Sequence, residues 1–578
     1  MKALRFVLAV PFQQPQFLQK IEAAIQLDQV CAGGPRLWTD DGVPIMDLGD
    51  AGQIVGVVFS KTSNTQVHRL PPDAPVNDSP VTLAAWLMRT CWGGYVAFLA
   101  DRTTGAIEAI VDPSGLCPVY RGYSSTHIII ASHPDLLRTA VDAPLAVSWH
   151  ALHSHLSRPE LRQRSTCLVG ITELPPGELV RIEARILAGK RIWRPDDFMP
   201  GKTTMTFDEA AEELRAIAIQ TIGAWAKMMG PVAIAASGGV DSSFICAALK
   251  ANGEQFTCVT ISTADASGDE RAFVHMLGDH LGVETISAIY DPQAIDPLRG
   301  VSAGLARPTR KAFMAALDTA LFQAGQSVGA EVIFDGNGGD NLFCFLHSSA
   351  PVVDRLRCQG VGRGFFSTFI DMCRVTGCDM PTMAQAMLRR LGRFKELPGW
   401  PADLSLLAGT TEDLEEIKPL TPWLRTDVGR HSGKRDHLAL IMKAQHFVHG
   451  LTACGLPRFS PLMSQPLIEL CLNIPTWVWP EGGINRALAR SAFNTELPRN
   501  ILTRTSKAGP DSFIRRSFDQ HRPTIRNLLM DGLLAQHEVI DRAAVEDALT
   551  TDVISGGDIV YRLLDLAEAE SWARSWQN

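Results

Sequence analysis

In the first part of the chain, apolar residues come in short runs broken by turn residues. Ile54–Phe59, Gly94–Leu99, Ile107–Val111, His127–Ala131 and Leu179–Ile182 are continuous or alternating runs, which predicts β-strands. Turn chemistry separates them, as in Asp112-Pro113-Ser114-Gly115 and Pro175-Pro176-Gly177. The opening run up to Val10 has the outline of a targeting peptide. Arg5 interrupts it, however, and Pro11-Phe12-Gln13-Gln14 follows without a small-residue cleavage site, so a first strand is expected instead.

The period changes near residue 205. A stretch rich in Pro, Asp, Gly and Thr runs from Trp193 to Met205 and is read as a linker. Thr206 and Glu209 then form a capping box, and Phe207, Ala211, Leu214, Ala218 and Ile222 follow at helical spacing. This places a domain boundary between residues 1–200 and 205–578. Downstream, Pro231–Ala236 is an unbroken apolar run, the pattern of a strand covered on both faces. Further strands are expected at Phe256–Ile261, Glu284–Ile289 and Glu331–Phe334, with helices at Ser242–Ala251, Asp269–Leu281 and Thr309–Val328. That alternation is the rhythm of a parallel sheet with right-handed crossovers, hence an α/β fold. Beyond about residue 350 the chain reads as mainly helical and is expected to cap the sheet.

Composition narrows the class. Apolar residues make up 46% of the 578 and charged residues 20%, an ordinary globular balance. No apolar run approaches the ~20 residues of a membrane helix. The net charge of −8, with no long run of like charges, argues against non-specific nucleic-acid binding, which requires a basic face, and leaves room only for a small local basic patch. Twelve cysteines are scattered without a CxxC pair, which predicts reduced thiols and a cytoplasmic location.

The candidate chemistry lies in two loops. Ser237-Gly238-Gly239-Val240-Asp241-Ser242-Ser243 joins the strand at Pro231–Ala236 to a helix. Its glycines permit close backbone approach, and the N–H groups at the helix start, aided by the helix dipole, suit a pyrophosphate. Ser237 and Ser242 add hydroxyls. Asp241 would repel phosphate directly and makes sense as a ligand of Mg²⁺ beside it. The loop is not of the Walker type: near Gly201-Lys202-Thr203, Asp196 stands where the first glycine would be, which disfavours γ-phosphoryl transfer. The second loop, Asp335-Gly336-Asn337-Gly338-Gly339-Asp340-Asn341, also follows a predicted strand. Ligands gather at the carboxyl ends of parallel strands, so Asp340 is expected to face Asp241, with Gly338 and Gly339 close to the ligand. Two carboxylates beside a triphosphate call for a cation, hence Mg²⁺.

With both loops in view, the chain resembles the asparagine synthetase family, whose loop reads Ser-Gly-Gly-x-Asp-Ser. The resemblance extends to Asp112–Tyr120, Ala131-Ser132-His133, Leu174-Pro175-Pro176-Gly177, Pro461–Glu469 and Arg504-Thr505-Ser506-Lys507. It implies a glutaminase-like, Ntn-type β-rich sandwich over 1–200. It also implies an adenine-nucleotide α-hydrolase-like (PP-loop ATPase) synthetase domain with a helical extension over 205–578. ATP and Mg²⁺ are the implied cofactors, with Lys507 and Asp340 as catalytic residues. Such glutaminases use an N-terminal cysteine exposed by removal of Met. Here Lys2 holds that position and Cys31 is the first cysteine, so an inactive glutaminase-like domain is expected. Asparagine synthetases carry Glu where Asn337 and Asn341 stand.

The string from Gly336 to Cys344, with Arg307-Pro308-Thr309-Arg310 upstream, resembles the lasso peptide cyclases. That likeness implies adenylation of an Asp or Glu side chain and its joining to a peptide's N-terminal amine. The implied partners are the leader-cleaved core of a ribosomal precursor peptide and a leader peptidase, with no nucleic acid and no membrane. The competing readings are a β-lactam-type or asparagine-type synthetase acting on a small amino acid, a non-catalytic nucleotide-binding scaffold, and a tRNA-modifying enzyme. His150, His153 and His155, and the pair His446 and His449, have no ligand partners at metal-site spacing and are read as ordinary helix residues. Asp269-Glu270 is read as a helix start complementing its dipole.

Overall fold

The computed structural model describes residues 5–11, 28–29, 36–40, 42–125, 127–140, 144–182, 189–199, 205–262, 269–290, 296, 298–309, 314–392, 400–410, 419–425, 432–447, 456–504, 511–550 and 557–577. Lys2, Cys31, Arg310, His449 and Lys507 lie outside these residues.

The first part forms two antiparallel sheets. Its strands are β1 (Phe6–Pro11), β2 (Asp28–Gln29), β3 (Arg36–Thr39), β4 (Ile45–Asp47), β5 (Gly52–Ser60), β6 (Cys91–Ala100), β7 (Ile107–Val111), β8 (Tyr120–Tyr123), β9 (His127–Ala131), β10 (Thr172–Glu173), β11 (Glu178–Arg181) and β12 (Gly189–Arg191). The orders are β10-β8-β9-β1-β3-β2 and β12-β11-β7-β6-β5-β4. The opening run is thus a strand, paired with β9 on one side and β3 on the other.

Alternation within these strands builds three layers of core. Phe6, Leu8, Ile128 and Ile130 from one sheet meet Val55, Val96, Phe98 and Val180 from the other. The intervening residues Val7, Ala9, Ile129 and Ala131 point outward, yet they too are buried, in a cluster that takes in Leu136 and Leu137 of the helix Pro134–Ala140 and residues of the helices Asp511–Met530 and Gly557–Ser575. On the far side Trp92, Tyr95, Ala97 and Leu99 join a core with the helix Phe207–Met229. Both outer faces of the sandwich are therefore buried by further elements. This is why β9 reads as an unbroken apolar run, with all five residues buried, rather than as an alternating one.

The later part holds a parallel sheet of β13 (Val232–Ala235), β14 (Phe256–Ser262), β15 (Thr285–Ile289), β16 (Val332–Asp335) and β17 (Arg458–Phe459), in the order β15-β14-β13-β16-β17. The first four match the strands expected from hydrophobic runs. β17 is the addition: two residues are too short to carry a periodic signal. The helices Val240–Ala251, Arg271–Leu281 and Met314–Ser327 separate the strands, and helices predominate from Ala350 onward.

The capping box at Thr206 forms in both directions: the Thr206 hydroxyl accepts from Glu209 N–H at 3.3 Å, and the Glu209 carboxylate accepts from Thr206 N–H at 2.9 Å. The stretch expected to be a linker is packed at its start instead. Trp193 is 3% exposed and donates its indole N–H to Glu469 at 2.9 Å, and Pro195–Phe198 forms a 3₁₀ turn. Pro and Gly content marks a chain reversal but does not show whether an aromatic within it finds a core.

Candidate active site

The site lies where the strand order reverses. β13 pairs with β14 on one side and β16 on the other, so the loops after β13 and β16 leave adjacent strands at their carboxyl ends. In such a sheet this switch point opens a crevice. Here it is a cleft of about 560 Å³ lined by both loops and by Phe345, Arg458, Asn485, Arg486, Arg490 and Arg504.

The first loop turns sharply after Ala236. Gly238 has φ 61°, and a Cβ there would lie 2.4 Å from the Phe273 Cβ, so only glycine fits. Gly239 caps the twelve-residue helix Val240–Ala251, which places Asp241 and Ser242 in its first turn. The serine hydroxyls brace the loop internally. Ser237 N–H donates to Ser242 Oγ at 3.2 Å, and Gly239 N–H donates to Ser237 Oγ at 3.4 Å.

In the second loop, Gly336 and Gly339 permit close approach to the first. A Cβ on Gly339 would sit 2.4 Å from the Asp241 carboxyl carbon, and one on Gly336 2.8 Å from the Ser242 nitrogen. Gly338, at φ 84°, lies against Met463. Asp340 follows, and its carboxylate converges with that of Asp241 on one guanidinium. Arg486 Nη1 donates to the Asp241 oxygens at 3.1 and 2.9 Å and also to Asp340. Asp241, Asp340, Ser237, Ser242, Gly239, Gly338 and Gly339 all line the cleft.

The loops are anchored from below. Asp335, at the end of β16, is bonded to Arg458, accepts from Ser460 Oγ at 2.5 Å, and accepts from the Asn337 side-chain amide at 2.9 Å. Arg458 also pairs with buried Asp318 at 2.6 Å. Asn341 donates its amide to the Leu440 carbonyl at 2.8 Å. An amide suits both asparagine positions, because each faces an oxygen acceptor that a carboxylate would repel.

Sequence reasoning gave the cleft arginines no role, although Arg504 stood in a segment that carries the family resemblance. Arg504 donates to the Ser237 carbonyl at 3.2 Å and to Glu270 at 2.7 Å, and stacks 4.0 Å over the Phe273 ring. Glu270 is therefore more than a helix-start charge: it holds an arginine against the first loop. Arg490 donates to the carbonyls of Asn485, Ile501, Leu502 and Arg504, tying together the segment that carries Arg486. Burial, then the neighbouring Arg486 charge, lowers its pKa to about 10. The spacing of Arg486 and Arg490 by four was visible in the sequence. Their position opposite Asp241 depends on chain folding back over some 250 residues, which no local pattern records.

Other candidates settle as structural. His153 and His155 bond through Nε2 to the carbonyls of Ala408 and Pro308 at 2.7 and 2.8 Å. Among the described residues no group of His, Cys, Asp or Glu is placed to hold a metal on its own, and the described cysteines are free thiols. Arg307 is buried in an ion pair with Glu173 at 2.7 Å, away from the cleft. Glu469, in the segment Pro461–Glu469, accepts from Lys61 at 2.7 Å and ties the sandwich to the later part of the chain.

A Ser-Gly-Gly-x-Asp-Ser loop beside paired aspartates at a parallel-sheet switch point is the arrangement that sequence comparison then places. The asparagine synthase family model matches residues 224–574, more than half of the chain. The chain belongs to the asparagine synthase family. It is accordingly an ATP-dependent carbon–nitrogen ligase, and the matched stretch contains the whole cleft. No curated protein matches the chain. Solved structures similar to the chain include the following two. The glutamine phosphoribosylpyrophosphate amidotransferase of B. subtilis, complexed with ADP and GMP, is 12% identical, covers 53% of this chain and 77% of its own, and has a TM-score of 0.18. The allosteric regulatory enzyme of purine biosynthesis is 11% identical, covers 57% of this chain and 83% of its own, and has a TM-score of 0.21. At such TM-scores neither carries an argument about this chain.

The donor set fits a magnesium nucleotide. Asp241 and Asp340 offer only oxygen, the ligand type of a hard cation, and close approach is secured by a glycine that a Cβ would fill. The loop N–H groups, the helix start and the arginines suit the phosphates.

Proposed function

We propose that this ligase adenylates a side-chain carboxylate of a leader-cleaved precursor peptide and joins it to the peptide's N-terminal amine, closing a macrolactam as lasso peptide cyclases do. The observation that carries the nucleotide half is the convergence of Asp241 and Asp340 on one cation beside the Ser237–Ser242 loop. The peptide half is supported by the Gly336–Cys344 string, with amides at Asn337 and Asn341, and by its likeness to those cyclases.

In this reading the carboxylate oxygen attacks the α-phosphorus of ATP, the α–β bridging bond breaks, and an acyl-adenylate and pyrophosphate result. Asp241 and Asp340 would hold Mg²⁺, which when bound neutralises charge on the leaving pyrophosphate. The loop N–H groups stabilise that charge from fixed positions, which needs no reorganisation during the step. Lys507, outside the described residues, is assigned to the oxyanion formed when the amine attacks the mixed anhydride. The amine then loses a proton and AMP departs, leaving the amide. Holding both ends of one peptide makes the second step effectively intramolecular. A leader peptidase that supplies the free amine is the proposed partner.

The test is direct. Purified protein is incubated with ATP, Mg²⁺ and a leader-cleaved peptide bearing an Asp or Glu acceptor. Pyrophosphate release and a product lighter by one water in mass spectrometry are expected. Pyrophosphate release with free aspartate or another small amino acid, and none with the peptide, would transfer the assignment to a small-substrate synthetase.

A further inference from the structure

We infer that Phe345 is a specificity-determining residue on the acyl side of the cleft: its ring receives an apolar group that flanks the reacting carboxylate, so that an amide-linked substrate is selected over a free amino acid. The inference rests on the peptide-adenylating reading above and deepens it by naming what lies beside the carboxylate.

Phe345 differs from its chain neighbours. Leu342, Phe343, Cys344 and Leu346 are all buried, whereas Phe345 is half-exposed and lines the cleft. It is the one aromatic among the described residues of that lining, which is otherwise mostly polar or glycine. A ring left half in water forgoes part of the burial its neighbours obtain, and an apolar surface set among placed polar groups is the composition of a ligand pocket.

The backbone is shaped to hold the ring there. Phe345 N–H donates to the Asp340 carbonyl at 3.0 Å. Leu346 N–H donates to the Cys344 carbonyl at 2.8 Å, which makes a three-residue turn centred on Phe345. Cys344 takes φ 52°, the left-handed region that a side chain other than glycine seldom enters and that clusters at functional sites. The His347 ring packs against Phe345 in a T-shaped arrangement with centroids 4.4 Å apart, and the Arg486 guanidinium lies 5.2 Å from the ring centroid.

The charges of the cleft indicate which ligand group suits this ring. The first loop and its helix start take the phosphates, so the wall of the second loop, to which Phe345 is tied through Asp340, is left for the carboxylate that attacks the α-phosphorus. A free amino acid would bring an α-carboxylate there as well. The cleft arginines are engaged by protein partners: Arg458 by Asp318 and Asp335, Arg486 by Asp241 and Asp340, Arg490 by backbone carbonyls, and Arg504 by Glu270 and the Ser237 carbonyl. An α-carboxylate would have to compete with those partners. An amide-linked backbone brings no such charge, and an apolar side chain beside the acceptor leaves water for the Phe345 ring.

The experiment measures pyrophosphate release by the full-length protein with ATP, Mg²⁺ and two leader-cleaved peptides, alike except that the residue beside the Asp acceptor is Phe in one and Ser in the other. The wild type is expected to show a KM at least about tenfold lower for the Phe peptide, the discrimination an apolar pocket provides. Phe345→Ala is expected to raise KM for the Phe peptide about tenfold, and to leave KM for the Ser peptide and for ATP within about twofold. Should that variant lose its melting transition, Phe345→Gln gives the same readout. Equal KM for the two peptides in the wild type, or an equal rise for both in the variant, overturns the inference and leaves the peptide reading standing. A rise confined to KM for ATP assigns the ring to the nucleotide base and likewise overturns it. Turnover of free aspartate and of neither peptide overturns the peptide reading and this inference together.

Discussion

At the scale of single residues, the cleft is set by what cannot be there. Gly339 has no side chain because a Cβ would enter the Asp241 carboxylate, 2.4 Å from its carbon. Gly339→Ala should therefore displace Asp241 and lower kcat/KM for ATP by about a hundredfold, the scale of a misplacement of about an ångström in a reacting group. Pyrophosphate-release kinetics with a melting curve on the same sample measure this; unchanged kinetics would refute the close approach. Lys507 is the residue for which chemistry alone speaks. If it stabilises the oxyanion, Lys507→Ala lowers kcat by about a hundredfold or more with little change in KM for ATP, as loss of a transition-state donor does. A rise in KM with kcat intact would assign it to ground-state binding instead.

At the scale of elements, the helix Gln465–Asn473 joins the two halves of the molecule. Glu469 on it accepts from Lys61 of the sandwich at 2.7 Å, from Trp193 at 2.9 Å and from Gln465 at 2.7 Å. Beside it Trp225 donates to Ser464 at 2.9 Å and packs against Phe59 and Trp92 with centroids 4.9 and 5.8 Å apart. Glu469→Ala strands a largely buried ammonium and an indole N–H. It is expected to cost about 3 kcal/mol in urea denaturation, the scale of a broken buried ion pair. Loss of the sandwich as an early, separate transition would accompany it. A change within ~0.5 kcal/mol, the range of ordinary surface substitutions, would show that apolar packing alone holds this junction.

At the scale of the whole molecule, polar groups are sealed between the halves. Glu173 bonds Arg162 and Arg307, and next to them His155 and His446 lie with ring centroids 5.3 Å apart. Burial first, and then the Arg307 charge, lowers the His155 pKa to about 4. Its folded value is depressed, so between pH 4 and the ordinary value of 6.5 the unfolded chain binds a proton that the folded one refuses. The sign follows: this contribution is complete above pH 6.5 and is lost as pH falls toward 4, amounting to about 3 kcal/mol. His155→Gln keeps a donor for the Pro308 carbonyl and cannot titrate. Its stability should fall less than that of wild type between pH 7 and pH 4.5, read from urea midpoints; parallel curves would refute the buried neutral imidazole.

Much of this was legible locally. β7 and β9 begin and end at the residues their apolar runs gave, and the Thr206 capping box starts its helix as read. Ser237–Ser242 and Gly336–Asp340 announced their loops, because strand periodicity, glycine and acidic residues act over a few positions. Hidden were the two-residue β17, the packed Trp193, the anchoring of Glu270 to Arg504, and Arg486 between the aspartates. Sequence by itself determined the elements, the parallel sheet and the two loops, since each depends on residues close along the chain. Only the tertiary structure decided that the sandwich buries both its outer faces, and that an arginine remote in sequence supplies the cation between Asp241 and Asp340. Both are contacts between distant segments, fixed by how the layers stack and invisible to any local pattern.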